Sequence, residues 1–429
     1  MIRTIHRAKY VLAEADLLLQ DATVHVSDPG RISRVEPWQD PPATMEAEIV
    51  DWGSAVIMPG LVNAHTHLEL TCLHGQLTRF STFFDWVSQL IERRREWTRT
   101  EYIESVRQGA QMCLSSGTTL IGDISASGVS WEALKPLPLR KVVFEEALSF
   151  LPAAASQTLA SLRARLKRGR RDKLLKIGIS PHAPYSVSPE LYRALAELAR
   201  EKELPLATHL AETREELEFL ASGTGPIKAF LKSVKALPEH WTPPGLDPVS
   251  YLEQSGVLES PVLLIHCNYL DADSMRKILS SRSSVVYCPR SHNFFGHTNH
   301  PVRELLDQGV NVALGTDSLA SNDTLSILDE MRFLFQSRKD LKAEEIFRMA
   351  TLNGAAALGF GSALGRLRRG YWADLTVLRL AEDPGPKNFL SQILDGAAEW
   401  QGTVVRGAVV SGLENAKSVS GPDTDVPSD

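Results

Sequence analysis

The chain has 429 residues, of which 43% are hydrophobic and 23% charged, so it can bury a large core and is not a disordered protein. Its formal net charge of −6 argues against a nucleic-acid-binding protein, which would carry a basic excess. Four scattered cysteines without a CxxC pair are typical of a reducing compartment. The N-terminal segment contains Glu14 and Asp16 and is not a signal peptide, and no uninterrupted apolar run is long enough to span a membrane. We therefore expect a cytoplasmic protein without a membrane or nucleic-acid partner.

Three regions follow one another along the chain. Residues 1–56 are typical of short strands broken by turns, and strand-rich sequence returns over residues 366–429. Between them, over residues 57–365, eight short β-rich segments alternate with helical sequence. Such alternation implies parallel strands joined by right-handed crossovers, and eight units predict a (β/α)8 TIM-like barrel. We predict an α/β fold in which both chain ends build one small β-sandwich domain. The alternative, an open doubly wound sheet, lacks a glycine-rich nucleotide motif.

Histidines stand at the ends of several predicted strands. His65 and His67 form a His-x-His pair on the first strand, where alternate residues face the same side. Four further residues end later strands: His182 the fourth, His209 the fifth, His266 the sixth and Asp317 the eighth. The carboxyl ends of parallel barrel strands converge on one rim, so we expect these six side chains to meet. Neutral imidazoles with one carboxylate are typical ligands of a transition-metal ion.

The same segments resemble a known family. The resemblance is to the amidohydrolase superfamily, in its branch of cytosine, guanine and adenosine deaminases and triazine hydrolases, and it is carried by MPGLVNAHTH, PHAPYSVS, THLAE, IHCNYL, CPRSHNFFGH and LGTDSLASND. It implies that one divalent ion, most often Zn²⁺ with Fe²⁺ or Mn²⁺ as alternatives, is bound by His65, His67, His209 and Asp317. Relatives with two metals usually carry a carboxylated lysine on the fourth strand. Here that strand ends in Ser180–Pro181–His182, which favours a single metal.

Three residues are predicted to carry the chemistry. A bound Zn²⁺ lowers the pKa of its water from about 15.7 toward about 7, and Asp317 beside the ion can accept the proton of that water. Glu212 follows His209 by three residues, and the resemblance implies that it protonates the ring nitrogen beside the attacked carbon. The alternative is an ordinary glutamate in the first turn of a helix. His266 is expected to orient the attacking hydroxide and to stabilise the oxygen of the tetrahedral intermediate.

Five further residues are candidates for substrate binding: His182, Arg290, Trp86, Glu69 and His292. Arg290 either grips a substrate carboxylate with its planar guanidinium or forms a salt bridge to a neighbouring loop. Trp86 either stacks on a heterocycle or belongs to a helix core. Glu69, or alternatively Glu92, is expected to accept hydrogen bonds from ribose hydroxyls.

Two longer segments complete the predicted site. His292, His297 and His300 lie in a predicted loop and are expected to line the pocket rather than bind a second metal. Residues 222–257 are long for one connection between strand and helix. Long connections in compact domains often act as lids, so a role over the active site is one of two interpretations.

We predict a metal-dependent aminohydrolase that deaminates a purine-like heterocycle or nucleoside, its small-molecule partner, and releases ammonia. The CPRSH and DWVSQLIERRR segments resemble the aminodeoxyfutalosine deaminases of the alternative menaquinone route, which act on an adenine nucleoside bearing a carboxyphenyl ketone. The alternatives are a triazine hydrolase, a guanine or pterin deaminase, an imidazolonepropionase-like enzyme, or an inactive scaffold with the same fold. Barrels of this branch often pair, so a homodimer is a further expectation.

Overall fold

The computed structural model describes residues 2–40, 46–77, 81–167, 172–412 and 417–419. The end of the predicted small domain, residues 420–429, therefore lies outside the described residues. None of the helices within the described ranges is both long and apolar enough to cross a lipid bilayer.

The strands of the described residues form three sheets. Their bounds are β1 Ile2–Glu14, β2 Leu17–Ser27, β3 Arg31–Pro37, β4 Glu48–Asp51, β5 Ala55–Pro59, β6 Leu61–Thr66, β7 Thr118–Ser125, β8 Arg140–Ala147, β9 Leu175–Pro181, β10 Ala207–Leu210, β11 Leu263–His266, β12 Ser284–Tyr287, β13 Asn311–Leu314, β14 Leu375–Leu380, β15 Ala398–Val405, β16 Ala408–Ser411 and β17 Lys417–Val419.

Two of the sheets are parallel and contain the eight strands expected from the sequence. Strands β6 to β9 form one four-stranded sheet in chain order, and β10 to β13 form the other. Every side chain of β6 and β7 is buried, as is usual for parallel strands covered on both faces. Single parallel bridges, Thr66 with Asp317 and Ile179 with Leu206, link the two sheets at both ends. The α/β class with parallel sheets is thus confirmed.

The third sheet joins the two ends of the chain. Seven of its strands lie in the order β16-β15-β14-β5-β1-β2-β3, while β4 pairs with β1 and β17 pairs with β4. Strands β4 and β5 pair in succession with the same long strand β1, so the sheet branches there. A sandwich was expected, whereas hydrogen bonds connect all nine strands into one sheet. Because β5 belongs to this sheet, the predicted boundary after residue 56 falls inside a strand.

Helices connect the parallel strands and cover the sheets. Their bounds are α1 Phe83–Arg94, α2 Arg99–Leu114, α3 Ser130–Leu134, α4 Pro152–Leu166, α5 Pro189–Glu201, α6 Arg214–Ser222, α7 Gly225–Ser233, α8 Pro248–Gln254, α9 Ala272–Ser280, α10 Pro289–Phe294, α11 Val302–Asp307, α12 Ile327–Ser337, α13 Ala343–Ala350, α14 Leu352–Ala357 and α15 Phe389–Gln392. Short 3₁₀ turns cover Leu68–Leu73 and Val257–Glu259, and a π-helical turn follows α15 at Ile393–Ala397.

Helix α1 shows how the sequence positions side chains for the site. Its start is fixed by a capping box, in which Thr82 Oγ1 accepts a hydrogen bond from the Asp85 N–H at 3.1 Å and Asp85 Oδ2 accepts one from the Thr82 N–H at 3.0 Å. The buried residues Phe84, Trp86 and Leu90 then follow. The capping box therefore sets which aromatic side chains of α1 point inward.

A buried ion pair ties the parallel strands to the third sheet. On β8, the Nε and Nη2 atoms of Arg140 donate to the two carboxylate oxygens of Asp374 at 2.5 and 3.1 Å, and both residues are buried. Asp374 directly precedes β14 and also accepts a hydrogen bond from the Arg406 N–H at 3.0 Å. The pair therefore fixes β8 against β14.

The Arg140→Met variant is expected to lower the free energy of unfolding by roughly 3–5 kcal/mol, because it leaves the Asp374 carboxylate buried without its partner. Arg379→Met is the matched control, since the Arg379–Glu399 pair at 2.6 Å is exposed on both sides and its loss should cost less than about 1 kcal/mol. Urea unfolding of both variants measures the difference. Equal small effects would show that the buried pair does not hold the two parts together.

Candidate metal centre and active site

The ends of three parallel strands bring four metal-ligating side chains together. The Nε2 atoms of His67, on the segment after β6, and His209, on β10, lie 3.1 Å apart. Oδ1 of Asp317 lies 3.5 Å from Nε2 of His65 and 3.8 Å from Nε2 of His67. Ligand atoms about 2.0–2.1 Å from a tetrahedral ion lie about 3.3 Å from one another. The observed spacings therefore suit one ion held by His65, His67, His209 and Asp317.

His65 provides the strongest evidence that this group fits a metal. Its side chain is fully buried, yet neither ring nitrogen forms a hydrogen bond with any described residue. An unsatisfied buried polar group costs roughly 1–3 kcal/mol, which a bound cation would remove. Burial and the neighbouring imidazoles also hold the pKa values of His67 and His209 well below their usual range. These two imidazoles are therefore neutral and present lone pairs.

Hydrogen bonds behind the ligands fix their orientation. Nδ1 of His209 donates to the main-chain oxygen of His182 at 2.9 Å, which leaves Nε2 as the lone pair facing the site. Oδ2 of Asp317 accepts hydrogen bonds from the hydroxyls of Ser291 at 2.7 Å and Ser321 at 2.9 Å, so Oδ1 is turned toward the histidines. Although burial opposes ionisation, the nearby imidazoles of His65, His266 and His67 hold the pKa of Asp317 well below its usual range.

Glu212 lies beside these ligands on the segment after β10. Its N–H donates to Glu216 at 3.1 Å and its carbonyl accepts from Asn268 at 2.9 Å, so the main chain is fixed on both sides. Its Oε1 lies 3.4 Å from Nε2 of His266. Burial, followed by the charges of Asp317 and Glu216, raises the pKa of Glu212 well above its usual range. The raised pKa favours the protonated form of Glu212, which can donate a proton.

His266, the last residue of β11, completes the group. Its ring lies 5.7 Å from that of His65 and 5.6 Å from that of His209, measured between centroids. Burial lowers its pKa to about 3, against the opposing charge of Asp317, so the imidazole is neutral. His266 and Asp317 have φ values of 72° and 58°. Non-glycine residues in this left-handed region cost energy and cluster at functional sites.

A cavity of about 440 Å³ opens next to this group. The residues of the metal centre and its neighbours form one side of it, namely His67, His209, Glu212, His266 and Asp317. Apolar side chains from α1 and α7 form much of the remaining wall, among them Phe83, Phe84, Trp86, Leu90, Phe230 and Leu231. A concave apolar pocket with a few convergent polar groups is the usual form of a small-molecule site.

A sequence model of the amidohydrolase family matches residues 56–417 of the chain. The chain belongs to the amidohydrolase family. This amidohydrolase is 31% identical over 396 residues to the 5-methylthioadenosine/S-adenosylhomocysteine deaminase of Syntrophobacter fumaroxidans, a match that covers 85% of each chain. It is 32% identical over 327 residues to the aminodeoxyfutalosine deaminase of Deinococcus radiodurans, covering 74% of this chain and 76% of the relative.

Among solved structures, a zinc-bound adenosine deaminase from Xanthomonas campestris superposes with a TM-score of 0.82 at 26% identity. The match covers 95% of this amidohydrolase and 92% of the Xanthomonas chain. The amidohydrolase family is metal-dependent. The family therefore agrees with the ligand geometry at His65, His67, His209 and Asp317.

Three of the five residues predicted to bind substrate line the cavity of this amidohydrolase: His182, Trp86 and Glu69. Nδ1 of His182 lies 2.6 Å from the hydroxyl of Ser186. Trp86 donates its indole N–H to the carbonyl of Ala320 at 3.1 Å, which fixes the ring in the cavity wall. The Glu69 carboxylate accepts hydrogen bonds from the hydroxyls of Ser125 and Ser127, both at 2.7 Å, and from the Ser127 N–H at 3.0 Å. Glu69 thus lines the cavity with both of its carboxylate oxygens hydrogen-bonded to the protein.

Arg290 and His292 lie outside the residues that line this cavity. They belong to helix α10, where a loop was expected. Arg290 donates to Asn322 at 3.0 Å and to Asp323 at 3.2 Å, so the salt-bridge alternative fits the structure and the carboxylate-binding role does not. The ring of His292 packs 5.6 Å from that of Tyr287 and 5.4 Å from that of His297. Its predicted contact with substrate does not fit this placement, because α10 turns it toward these rings.

The structure adds cavity residues that sequence reasoning missed. Arg94, at the end of α1, brings its Nη2 atom to 3.7 Å from Oε2 of Glu69. Glu146, near the end of β8, and Tyr185, after β9, also line the cavity. Glu146 and Tyr185 could have been found by extending the strand-end argument from histidines to every polar residue at the same rim. The position of Arg94 could not have been predicted in this way, because it is on a helix and its contact with the cavity depends on how α1 crosses the rim.

The long stretch 222–257 contains helices α7 and α8. Phe230 and Leu231 of α7, and Val234 and Ala236 after it, line the cavity. The segment therefore covers part of the pocket with apolar side chains. Its movement as a lid remains a prediction.

Proposed function

We propose that this amidohydrolase removes the exocyclic amine of an adenine nucleoside by hydrolysis and releases ammonia. The observation that carries the proposal is the pairing of a candidate four-ligand metal site with buried Glu212, whose pKa is raised, at the wall of an aromatic cavity. We propose Zn²⁺ as the ion, supported by the three imidazoles and one carboxylate and by the zinc-bound Xanthomonas relative. The parallel bridges at both sheet ends support a closed eight-stranded barrel around the site.

Each residue has a role that follows from its position. The bound divalent ion would lower the pKa of a water molecule toward neutrality and so supply a nucleophile. His266 orients that water through Nε2, and Asp317 accepts its proton at Oδ1. Glu212 donates its carboxyl proton to the ring nitrogen beside the attacked carbon, which prevents negative charge from accumulating there. The proton held by Asp317 then passes to the departing amine. The hydroxyl proton of the intermediate returns to Glu212 as the carbonyl forms, so that water and substrate yield the oxo product and ammonia and both carboxyl groups regain their starting state.

Two substrates are supported within the adenine nucleosides. Aminodeoxyfutalosine is our leading candidate, supported by the Deinococcus relative and by Arg94, a cation in the cavity wall that could face a carboxylate. 5-Methylthioadenosine or S-adenosylhomocysteine is the second candidate, supported by the Syntrophobacter relative and by the apolar wall from Phe83 to Leu90 and from α7. The four cysteines are free thiols, which supports a reducing, cytoplasmic location.

A panel of purified nucleosides tests the proposal. Ammonia release would be measured with adenosine, 5-methylthioadenosine, S-adenosylhomocysteine and aminodeoxyfutalosine, beside guanine, a pterin and a chlorinated triazine. We expect the highest kcat/KM among the adenine nucleosides. If only guanine, the pterin or the triazine released ammonia or chloride, and no adenine nucleoside reacted, the proposal would be contradicted and another hydrolase activity of this branch would be favoured.

A further inference from the structure

Glu146 is a carboxylate of the cavity that the deamination scheme leaves unused. It is the penultimate residue of β8, and its carbonyl accepts a hydrogen bond from Nη2 of Arg165, which fixes the main chain there. The side chain lines the cavity. Its Oε1 atom is buried and accepts no hydrogen bond from the residues that the structure describes. A buried carboxylate oxygen without a donor is costly, so a ligand that supplies a donor is favoured.

The position of Glu146 separates it from the proton-transfer residues. Ligand atoms of Glu146, His182 and His209 lie within 4.8 Å of one another, whereas those of Glu212 group with His266 and Asp317. Glu146 therefore lies on the His182 side of His209. A substrate whose reacting carbon is next to His209 has its remaining atoms within reach of this carboxylate.

Two acids near Glu146 already have protein partners, namely Glu69 in the cavity wall and Glu145 on the opposite side of β8. The Glu69 carboxylate accepts three hydrogen bonds from Ser125 and Ser127. Oε2 of Glu145 lies 3.1 Å from Nη1 of Arg165. These two carboxylates thus have protein partners, and Glu146 offers an acceptor to the contents of the cavity.

The chemistry of an adenine nucleoside limits what Glu146 can accept from it. Burial raises the pKa of Glu146 to about 7, so its carboxylate is ionised above that pH, and an ionised carboxylate only accepts hydrogen bonds. The base has one donor group, the exocyclic amine that leaves at the metal side, and its ring nitrogens are acceptors. The other donors are the sugar hydroxyls. We propose that Glu146 binds the 2′ and 3′ hydroxyls of the substrate sugar and so positions the base, an inference that rests on the proposed function.

Matched substrates test this role, because a comparison within one variant cancels any loss of folded protein. The kcat/KM for ammonia release would be measured with adenosine and with 2′,3′-dideoxyadenosine. We expect the unmodified enzyme to prefer adenosine by roughly 10- to 100-fold, the range for a hydrogen bond to a charged group. Glu146→Ala should abolish this preference by lowering kcat/KM for adenosine while leaving kcat/KM for 2′,3′-dideoxyadenosine unchanged. Glu146→Gln keeps a neutral acceptor and should retain part of the preference. Glu145→Gln is the control and should leave the preference unchanged.

Three results would overturn the inference. The preference for adenosine could persist in Glu146→Ala, or both nucleosides could lose activity equally. The unmodified enzyme could instead prefer adenosine over its 3-deaza or 7-deaza analogue and lose that preference in Glu146→Ala, which would show that a protonated Glu146 donates to the ring. Absence of ammonia from every adenine nucleoside with the unmodified enzyme is a different result, since it contradicts the proposed function itself.

Discussion

Replacing His209 with alanine is expected to abolish turnover and metal binding together. His209 supplies the Nε2 atom that lies 3.1 Å from that of His67, and its Nδ1 is already bonded to the His182 carbonyl. The remaining ligands would hold the ion in a poorer geometry, so bound zinc should fall well below one ion per chain. We expect kcat to drop by at least about 10⁴-fold, because the activated water accounts for much of the rate.

Elemental analysis and ammonia release on the same His209→Ala sample make the comparison. His240→Ala is the matched control, because His240 is an exposed histidine on another segment. The control should keep both its zinc and its activity. A His209→Ala protein that keeps one tightly bound zinc would remove His209 from the ligand set.

Replacing Glu212 with glutamine is expected to separate catalysis from metal binding. Glutamine fills the same space but cannot transfer a proton, and general acid catalysis contributes about 10²–10⁴-fold. Oε1 of Glu212 lies 3.4 Å from Nε2 of His266, which is not one of the four proposed ligands. The variant should therefore retain one zinc per chain while kcat falls by about 10³-fold.

Glu218→Gln is the control for this substitution, since Glu218 is an exposed acid on the same local segment, where it accepts a hydrogen bond from the Thr224 hydroxyl. Its turnover should match that of the unmodified enzyme. Loss of zinc from Glu212→Gln, rather than loss of turnover alone, would make Glu212 a metal ligand and leave the proton donor unassigned.

The eight parallel strands could be predicted because strands buried on both faces are short apolar runs between helical segments. The proximity of His65, His209 and Asp317 could also be predicted, because the carboxyl ends of parallel strands lie at one rim whatever the packing of individual side chains. The course of the third sheet could not be predicted, because the pairing of β1 with both β4 and β5 is set by contacts between distant segments.

The errors at the rim have physical causes. The loop predicted around His292 is wrong at its start, because helix α10 begins at Pro289, and proline at the first position of a helix is a recognised start signal. The partner of Arg290, Asp323, lies 33 residues further along the chain and gives no local sign. Glu145 and Glu146 face opposite sides of β8, and only the register of the strand decides which of them reaches the cavity.

Titration of the metal-free enzyme with zinc tests the central claim most directly. Ammonia release from the best adenine nucleoside would be followed as zinc is added to chelator-treated protein at known concentration. We predict that activity rises in proportion to added zinc and reaches its plateau at one ion per chain. Full activity without added metal, or a plateau at two ions per chain, would contradict a single catalytic ion held by His65, His67, His209 and Asp317.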